Sequence, residues 1–179
     1  MLKMVFAGVG GQGIITAGII IAEAAVIEEG RFATQSQSYG AEARGGLTRT
    51  DVIISEREVL YPKIEQAHIL AALHQKGYAV HAGCLRPGGI LLYDEQAVKV
   101  DEKTDARSFP MPILENGRGA NITLLGIICA LTNAVGTDAL RQVLRRRYGE
   151  DNSNIDAFEK GLTLVSDRGL APLPTRAEL

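Results

Sequence analysis

Two cysteines, Cys84 and Cys129, are the only thiols among 179 residues. They stand far apart in unlike contexts, so this chain cannot assemble the four thiolates of an iron–sulfur centre by itself. A reduced pair is a simpler reading than a disulfide. A large excess of charge of either sign is missing too. A net charge of −2 and a pI near 5.9 leave no basic field for a polyanion, which argues against nucleic acid as a partner. The apolar stretch Ile14 to Ile27 is interrupted by Thr16 and Glu23 and falls short of the ~20 residues that cross a bilayer. Lys3 and Ala22-Glu23-Ala24 imitate a signal peptide, but Gly8, Gly10, Gly11 and Gly13 break its apolar region. A cytoplasmic chain with no membrane contact is expected.

The residues that are present describe a globular domain. Hydrophobic residues make up 46% and charged residues 22%, which excludes disorder. A chain of this length buries roughly 70% of its unfolded surface. Leu2 to Ala7 is an apolar run stopped by a glycine turn and reads as a buried parallel strand. Ile14 to about Glu29 reads as a helix. Phe32–Ser36, Thr48–Ser55, Ile69–Leu73 and Gly89–Tyr93 read as strands, the last opened by Pro87-Gly88-Gly89. Helices are expected over Asn121–Asn133, Thr137–Tyr148 and Ile155–Val165. The alternation predicts an α/β fold: a single Rossmann-like three-layer domain over residues 1–168, with a mostly parallel sheet and helices on both faces. Residues 169–179 read as a flexible tail. Ile14–Ile27 and Ile122–Ala130 carry so few polar residues that we expect a subunit interface on them rather than two core helices. The chain should then self-associate when isolated.

Gly8-Val9-Gly10-Gly11-Gln12-Gly13 fits G-x-G-x-x-G between a strand and a helix, where glycines permit a tight turn and free helix N–H groups attract an anion. Nicotinamide dinucleotides also require an acid, or for the phosphorylated form an arginine, at the end of the second strand. Phe32-Ala33-Thr34-Gln35-Ser36 ends in neither. No Lys-Ser or Lys-Thr follows Gly13, so this is not a P-loop. Two readings stay open: an anion-binding loop of Gly8, Gly10, Gly11, Gln12 and Gly13, or a turn whose glycines only allow close packing.

A second loop, Ser38-Tyr39-Gly40-Ala41-Glu42-Ala43-Arg44-Gly45-Gly46, follows the second strand. Its glycines free the backbone to present Glu42 and Arg44 at the strand ends, where a guanidinium can hold a carboxylate or phosphate by two parallel hydrogen bonds. The plainer reading is a surface Glu42–Arg44 pair of little energetic weight.

Together the two loops resemble the signature of the gamma subunit of 2-oxoacid:ferredoxin oxidoreductases. Ala120-Asn121-x-x-Leu124-Leu125-Gly126 and Asn154-x-x-Ala157-x-x-x-Gly161 are similar to later pieces of that family. The second loop is closer to the 2-oxoglutarate and branched-chain members. The resemblance implies a non-catalytic but required subunit, working with alpha, beta and ferredoxin-like delta subunits and with ferredoxin. It implies that the complex uses thiamine diphosphate, Mg2+, 4Fe-4S clusters and coenzyme A, none of them held by this chain alone. It also implies that Tyr39, Glu42, Arg44, Gly45, Gly46 and Asn121 contact coenzyme A, the oxoacid or a partner chain. The competing reading is a free-standing nucleotide-binding oxidoreductase or regulator built on Gly8 to Gly13.

Other residues carry less. His68, His74, His81 and Cys84 have no metal-site spacing. Neither cysteine has a nearby base in sequence, and Cys129 lies in an apolar helix where burial is common. Arg145-Arg146-Arg147 near a helix end suits the helix dipole better than a binding patch.

Overall fold

The computed structural model describes residues 1–40, 45–101, 104–150 and 152–173. One six-stranded sheet organises them, in the order β2-β3-β1-β4-β5-β6. The strands are β1 (Leu2–Val9), β2 (Phe32–Tyr39), β3 (Leu47–Ser55), β4 (Ala67–Ala72), β5 (Leu85–Asp94) and β6 (Ala106–Met111). Pairings β1–β4, β4–β5 and β5–β6 are parallel, and β3 runs antiparallel to both of its neighbours. The mostly parallel sheet expected from the sequence is therefore present. The opening unit differs from a simple βαβ. β1 and β2 point the same way, but β3 is inserted between them, so β2 becomes the sheet edge.

Helices α1 (Ile14–Glu23), α3 (Ala120–Thr132), α4 (Thr137–Tyr148) and α5 (Ser153–Asp167) pack on one face. The short α2 (Gln75–His81) covers the other, with Ile64 and Val98 from flanking loops. Both faces carry helices, unequally. β1 shows why a central strand reads as an unbroken apolar run: Met4 and Phe6 enter the larger core and Val5 and Ala7 the smaller, all fully buried.

The expectation of an interface on α3 is corrected. Ile122, Leu124, Leu125, Ile127 and Ile128 are all buried within the chain, because α5 lies directly across α3. The crossing is close. A Cβ on Gly161 would stand 2.2 Å from the Thr123 carbonyl oxygen and 2.9 Å from the Gly126 Cα. The later motif fragments, Leu124-Leu125-Gly126 and Ala157 to Gly161, thus meet in a helix–helix contact. α1 is intermediate: Ile14, Ala17, Ile20 and Ile21 are buried, while Ile19 and, beyond the helix, Val26 and Ile27 are exposed.

Three boundaries move. α1 does not continue to Glu29 as an α-helix; a wider π turn spans Ala24–Glu28. β5 starts at Leu85, ahead of the expected turn. Its register skips from Leu85 opposite Ala67 to Ile90 opposite Ile69, so Pro87-Gly88 forms a bulge inside the strand. The expected tail is partly held, since Leu170 and Leu173 pack on the core and the Leu173 N–H donates to the Leu131 carbonyl at 2.7 Å.

Candidate functional site at the strand ends

The two sequence loops meet. The β2–β3 hairpin ends where β1 ends, and the Gly10 N–H donates to the Gly46 carbonyl at 2.9 Å. Gly46 is held from inside by the Thr48 hydroxyl, which donates to its carbonyl at 3.3 Å, and Gly45 takes the left-handed conformation at φ 64°. Glu42 and Arg44 lie outside the described residues. Their described neighbours Gly40 and Gly45 bound the segment at this end of the sheet.

The glycine loop is built around Gln12. Its side-chain oxygen accepts from the Val9 N–H at 2.9 Å, and its side-chain nitrogen donates to the Leu73 carbonyl at 2.9 Å, tying the end of β1 to the end of β4. A Cβ on Gly8 would stand 2.4 Å from the Gln12 oxygen. The first glycine therefore makes room for Gln12, not for a phosphate. At Gly13 a Cβ would strike the Asn121 amide at 2.6 Å, and that amide donates to the Gly13 carbonyl at 3.2 Å. Asn121 thus brings the start of α3 to the start of α1. Gly11, at φ 94°, has no atom of the described residues within 4 Å of the place of a Cβ.

Beside Gly11 lies a cleft of about 380 Å³, lined by the loop, the first turn of α1, and Tyr39 and Thr48 of the hairpin. α1 begins there at Gly13 with no side-chain cap and no acid in its first turn. Its first N–H groups have no partner within the helix and carry partial positive charge. The cleft suits an anion with an apolar neighbour. It does not suit a nicotinamide dinucleotide, because β3 occupies the position beside β1 from which a ribose-binding acid would reach.

A second polar group, which the sequence reading missed, lies on the opposite face of β3. Arg49 holds Asp51 through two bonds of 2.5 and 2.9 Å, approaches His81 Nδ1 at 3.3 Å and donates to the Ile64 carbonyl at 3.3 Å. The strand period of two is the available signal, since it puts residues 49 and 51 on one face. Burial, and then the Arg49 charge, lower the His81 pKa. Burial raises the Cys84 thiol, which makes it a poor nucleophile. Cys84 and Cys129 are not joined to each other by a disulfide. Among the described residues no group of three His, Cys, Asp or Glu side chains is placed to hold a metal. His68 accepts from the Lys3 N–H at 2.9 Å and His74 caps α2 by accepting from the Lys76 N–H at 3.1 Å. Both act within the fold. The arginine run is matched by acids: Arg146 meets Glu23 and Glu28, Arg147 meets Glu23, and Arg145 meets Glu150.

Comparison with known proteins agrees with this fold. Residues 3–164 match the family described as pyruvate ferredoxin/flavodoxin oxidoreductase. The 2-oxoglutarate synthase subunit KorC of Methanocaldococcus jannaschii is 33% identical over 171 residues, covering 89% of this chain and 91% of the relative. The crystal structure of the keto/oxoacid ferredoxin oxidoreductase gamma subunit from Geobacter sulfurreducens superimposes with a TM-score of 0.80 at 34% identity, over 93% of this chain and 99% of that one. The fold also recurs, at 24% identity and a TM-score of 0.83, in 31% of a chain of the Magnetococcus marinus 2-oxoglutarate:ferredoxin oxidoreductase with 2-oxoglutarate, coenzyme A and succinyl-CoA bound. On its sequence and its fold, the chain belongs to the pyruvate ferredoxin/flavodoxin oxidoreductase family, in the form of its gamma subunits.

Proposed function

We propose that this chain is the gamma subunit of a complex that oxidatively decarboxylates 2-oxoglutarate to an acyl-CoA and CO2 and passes the electrons to ferredoxin. The likeness to 2-oxoglutarate synthase subunits over nearly their whole length carries this reading. Thiamine diphosphate with Mg2+ supplies the carbanion chemistry in such a complex, and 4Fe-4S clusters carry single electrons. Two cysteines are too few to ligate a 4Fe-4S cluster, which supports our placing the clusters, and with them thiamine diphosphate, on alpha, beta and delta-type partner chains.

The part left to this chain is placement. Gln12 and Asn121 fix the Gly10–Gly13 turn, and the hairpin walls the cleft with Tyr39. The open N-terminus of α1 offers N–H groups to an anion, for which a phosphate of coenzyme A is the fitting candidate. Arg44, bounded by Gly40 and Gly45, would add a two-pronged guanidinium to the same anion or to a carboxylate. Among the described residues no helix is long and apolar enough to cross a membrane, and we place the complex in the cytoplasm.

Reconstitution tests the proposal. The complex is assembled with and without this chain, and ferredoxin reduction is followed with 2-oxoglutarate, pyruvate and 2-oxoisovalerate. Coenzyme A-dependent activity that needs this chain and prefers 2-oxoglutarate is expected. Undiminished activity without it would overturn the subunit role. Tight binding of NAD or NADP by the purified chain would favour the free-standing nucleotide-binding reading instead.

A further inference from the structure

We infer that the outer edge of β2 pairs with the same edge of a second copy of this chain. The strands run antiparallel about a two-fold axis perpendicular to the sheet, with Ser36 opposite Ser36. This inference does not rest on the functional reading.

Among the described residues β2 is an open edge without the usual guards. Its eight residues, Phe32-Ala-Thr-Gln-Ser-Gln-Ser-Tyr39, include no charge and no proline, and their register with β3 has no bulge. Natural sheets blunt a free edge with such devices. The opposite edge of this same sheet has them. β6 carries Arg107 and Pro110, and Arg168 donates to the Pro110 carbonyl at 2.8 Å. The two edges of one sheet are thus treated differently.

The pairing geometry follows from the ladder. The Gly40 N–H donates to the Leu47 carbonyl at 2.6 Å, so the even-numbered residues of β2 bond inward to β3. Ala33, Gln35, Gln37 and Tyr39 then turn their N–H and C=O groups outward. A two-fold axis perpendicular to the sheet keeps each side chain on its own face, so even pairs with even and odd with odd. With Ser36 on the axis, Gln35 lies opposite Gln37, Thr34 opposite Ser38 and Ala33 opposite Tyr39.

Amide meets amide, hydroxyl meets hydroxyl, and the smallest side chain meets the largest. Such cross-strand pairs are favourable. Gln35 and Gln37 are already 3.4 Å apart between their amides within one chain, so the pairing extends that contact into a ladder. A strand paired with its own copy must avoid opposing like charges, and β2 has none to oppose. Strand addition by an unlike partner offers no reason for this self-matched order. The helix layer agrees, since α1 packs over β2 and β3 and leaves Ile19 exposed, with Val26 and Ile27 exposed just beyond it.

Sedimentation of the purified full chain through a dilution series tests this. A reversible dimer is expected. Gln35→Lys and Gln37→Glu are exposed edge changes that should each weaken it about tenfold or more. An equal mixture of the two variants should recover association, because the ammonium introduced in one copy then faces the carboxylate introduced in the other. In the unmodified chain, hydrogen exchange at Ala33, Gln35, Gln37 and Tyr39 should slow with concentration, and that at Thr34, Ser36 and Ser38 should not. A monomer throughout, single variants that dimerise normally, or a mixture that fails to recover would overturn the inference. So would edge amides that become protected only when other chains of the complex are added, which would assign this edge to one of them.

Discussion

Replacing Gly161 by alanine adds one methyl group where α5 crosses α3 closely. The new Cβ would lie 2.2 Å from the Thr123 carbonyl oxygen, 2.9 Å from the Gly126 Cα and 3.0 Å from the Ile127 nitrogen, all of them backbone atoms. No rotamer change relieves backbone contacts, so α3 and α5 must move apart by about 1 Å. α3 has no room to move, because its side chains are buried on every side. Overpacking of this kind costs about 1–3 kcal/mol, and rigid neighbours put this case at the upper end. Alanine returns about 1 kcal/mol through its better helix propensity. A net loss of about 2 kcal/mol should lower Tm by about 4–8 °C in a chain of this size. Gly83 supplies the control, since a Cβ there meets nothing within 4 Å, and Gly83→Ala should stay within about 0.5 kcal/mol of the parent. Thermal unfolding and denaturant titration of the three purified chains measure both. A Gly161→Ala chain as stable as the parent would refute the reasoning that this glycine is fixed by helix contact.

Thr16→Glu places an acid in the first turn of α1 beside the cleft, and two effects should separate in sign. Stability rises by about 0.3–1 kcal/mol through the helix dipole, while the KM for coenzyme A in the reconstituted complex rises about tenfold from charge repulsion; an unchanged KM would remove the anion from this cleft. Burial first, then the charges of Arg86, Lys3 and the N-terminus, hold His68 near a pKa of about 4 against an ordinary 6.5. The unfolded chain therefore binds the extra proton between these values, and stability falls as pH drops from 6.5 to 4. His68 is partly exposed, so screening leaves about 1–2 kcal/mol of that dependence, which His68→Gln should remove in a denaturant series over this range; an unaltered acid limb would contradict it. Arg44→Ala should leave thermal unfolding nearly unchanged yet cut oxoacid-dependent ferredoxin reduction about tenfold, with Arg44→Lys also impaired for want of the fork. Full activity of Arg44→Ala in a correctly assembled complex would reduce this loop to a structural one.

Much of this arrangement is legible in the residues, and what is hidden is hidden for physical reasons. β1 announces itself because a strand buried on both faces needs apolar residues without interruption. The hairpin is legible in outline, but its strands run on to Tyr39 and back from Leu47 because pairing with β3 holds polar residues that propensity alone would leave in a loop. α2 is invisible in the sequence because His74-Gln-Lys-Gly-Tyr78 has no apolar period; it is held by Gly77 lying against the Gly8 backbone and by Tyr78 in the smaller core. β6 hides behind Arg107 and Pro110, the same residues that suit it to an edge. Gln12 and Asn121 stand in the right motifs. Their partners, Leu73 and Gly13, are 61 and 108 residues away in sequence, so their tasks of bracing the loop cannot be read locally. α3 resembles an interface in sequence because residues show how apolar a helix is, not what covers it.

The insertion of β3 between β1 and β2 also constrains the order in which the chain can reach its native state. β1 cannot complete its sheet on this side when α1 and β2 emerge, because its neighbour is still to come. β2 and β3 are separated by only seven residues and can zip together locally, whereas β1 must find β3 across α1 and β2, from Leu2 opposite Ile54 to Val9 opposite Leu47. Short-range pairing is the faster step, since closing the larger loop costs more chain entropy. The hairpin should therefore form first and dock onto β1 as a unit, with α1 swung over the seam as it closes. During synthesis β1 then waits with both sides unpaired until residue 55 has left the ribosome, because β4, its other neighbour, follows later still.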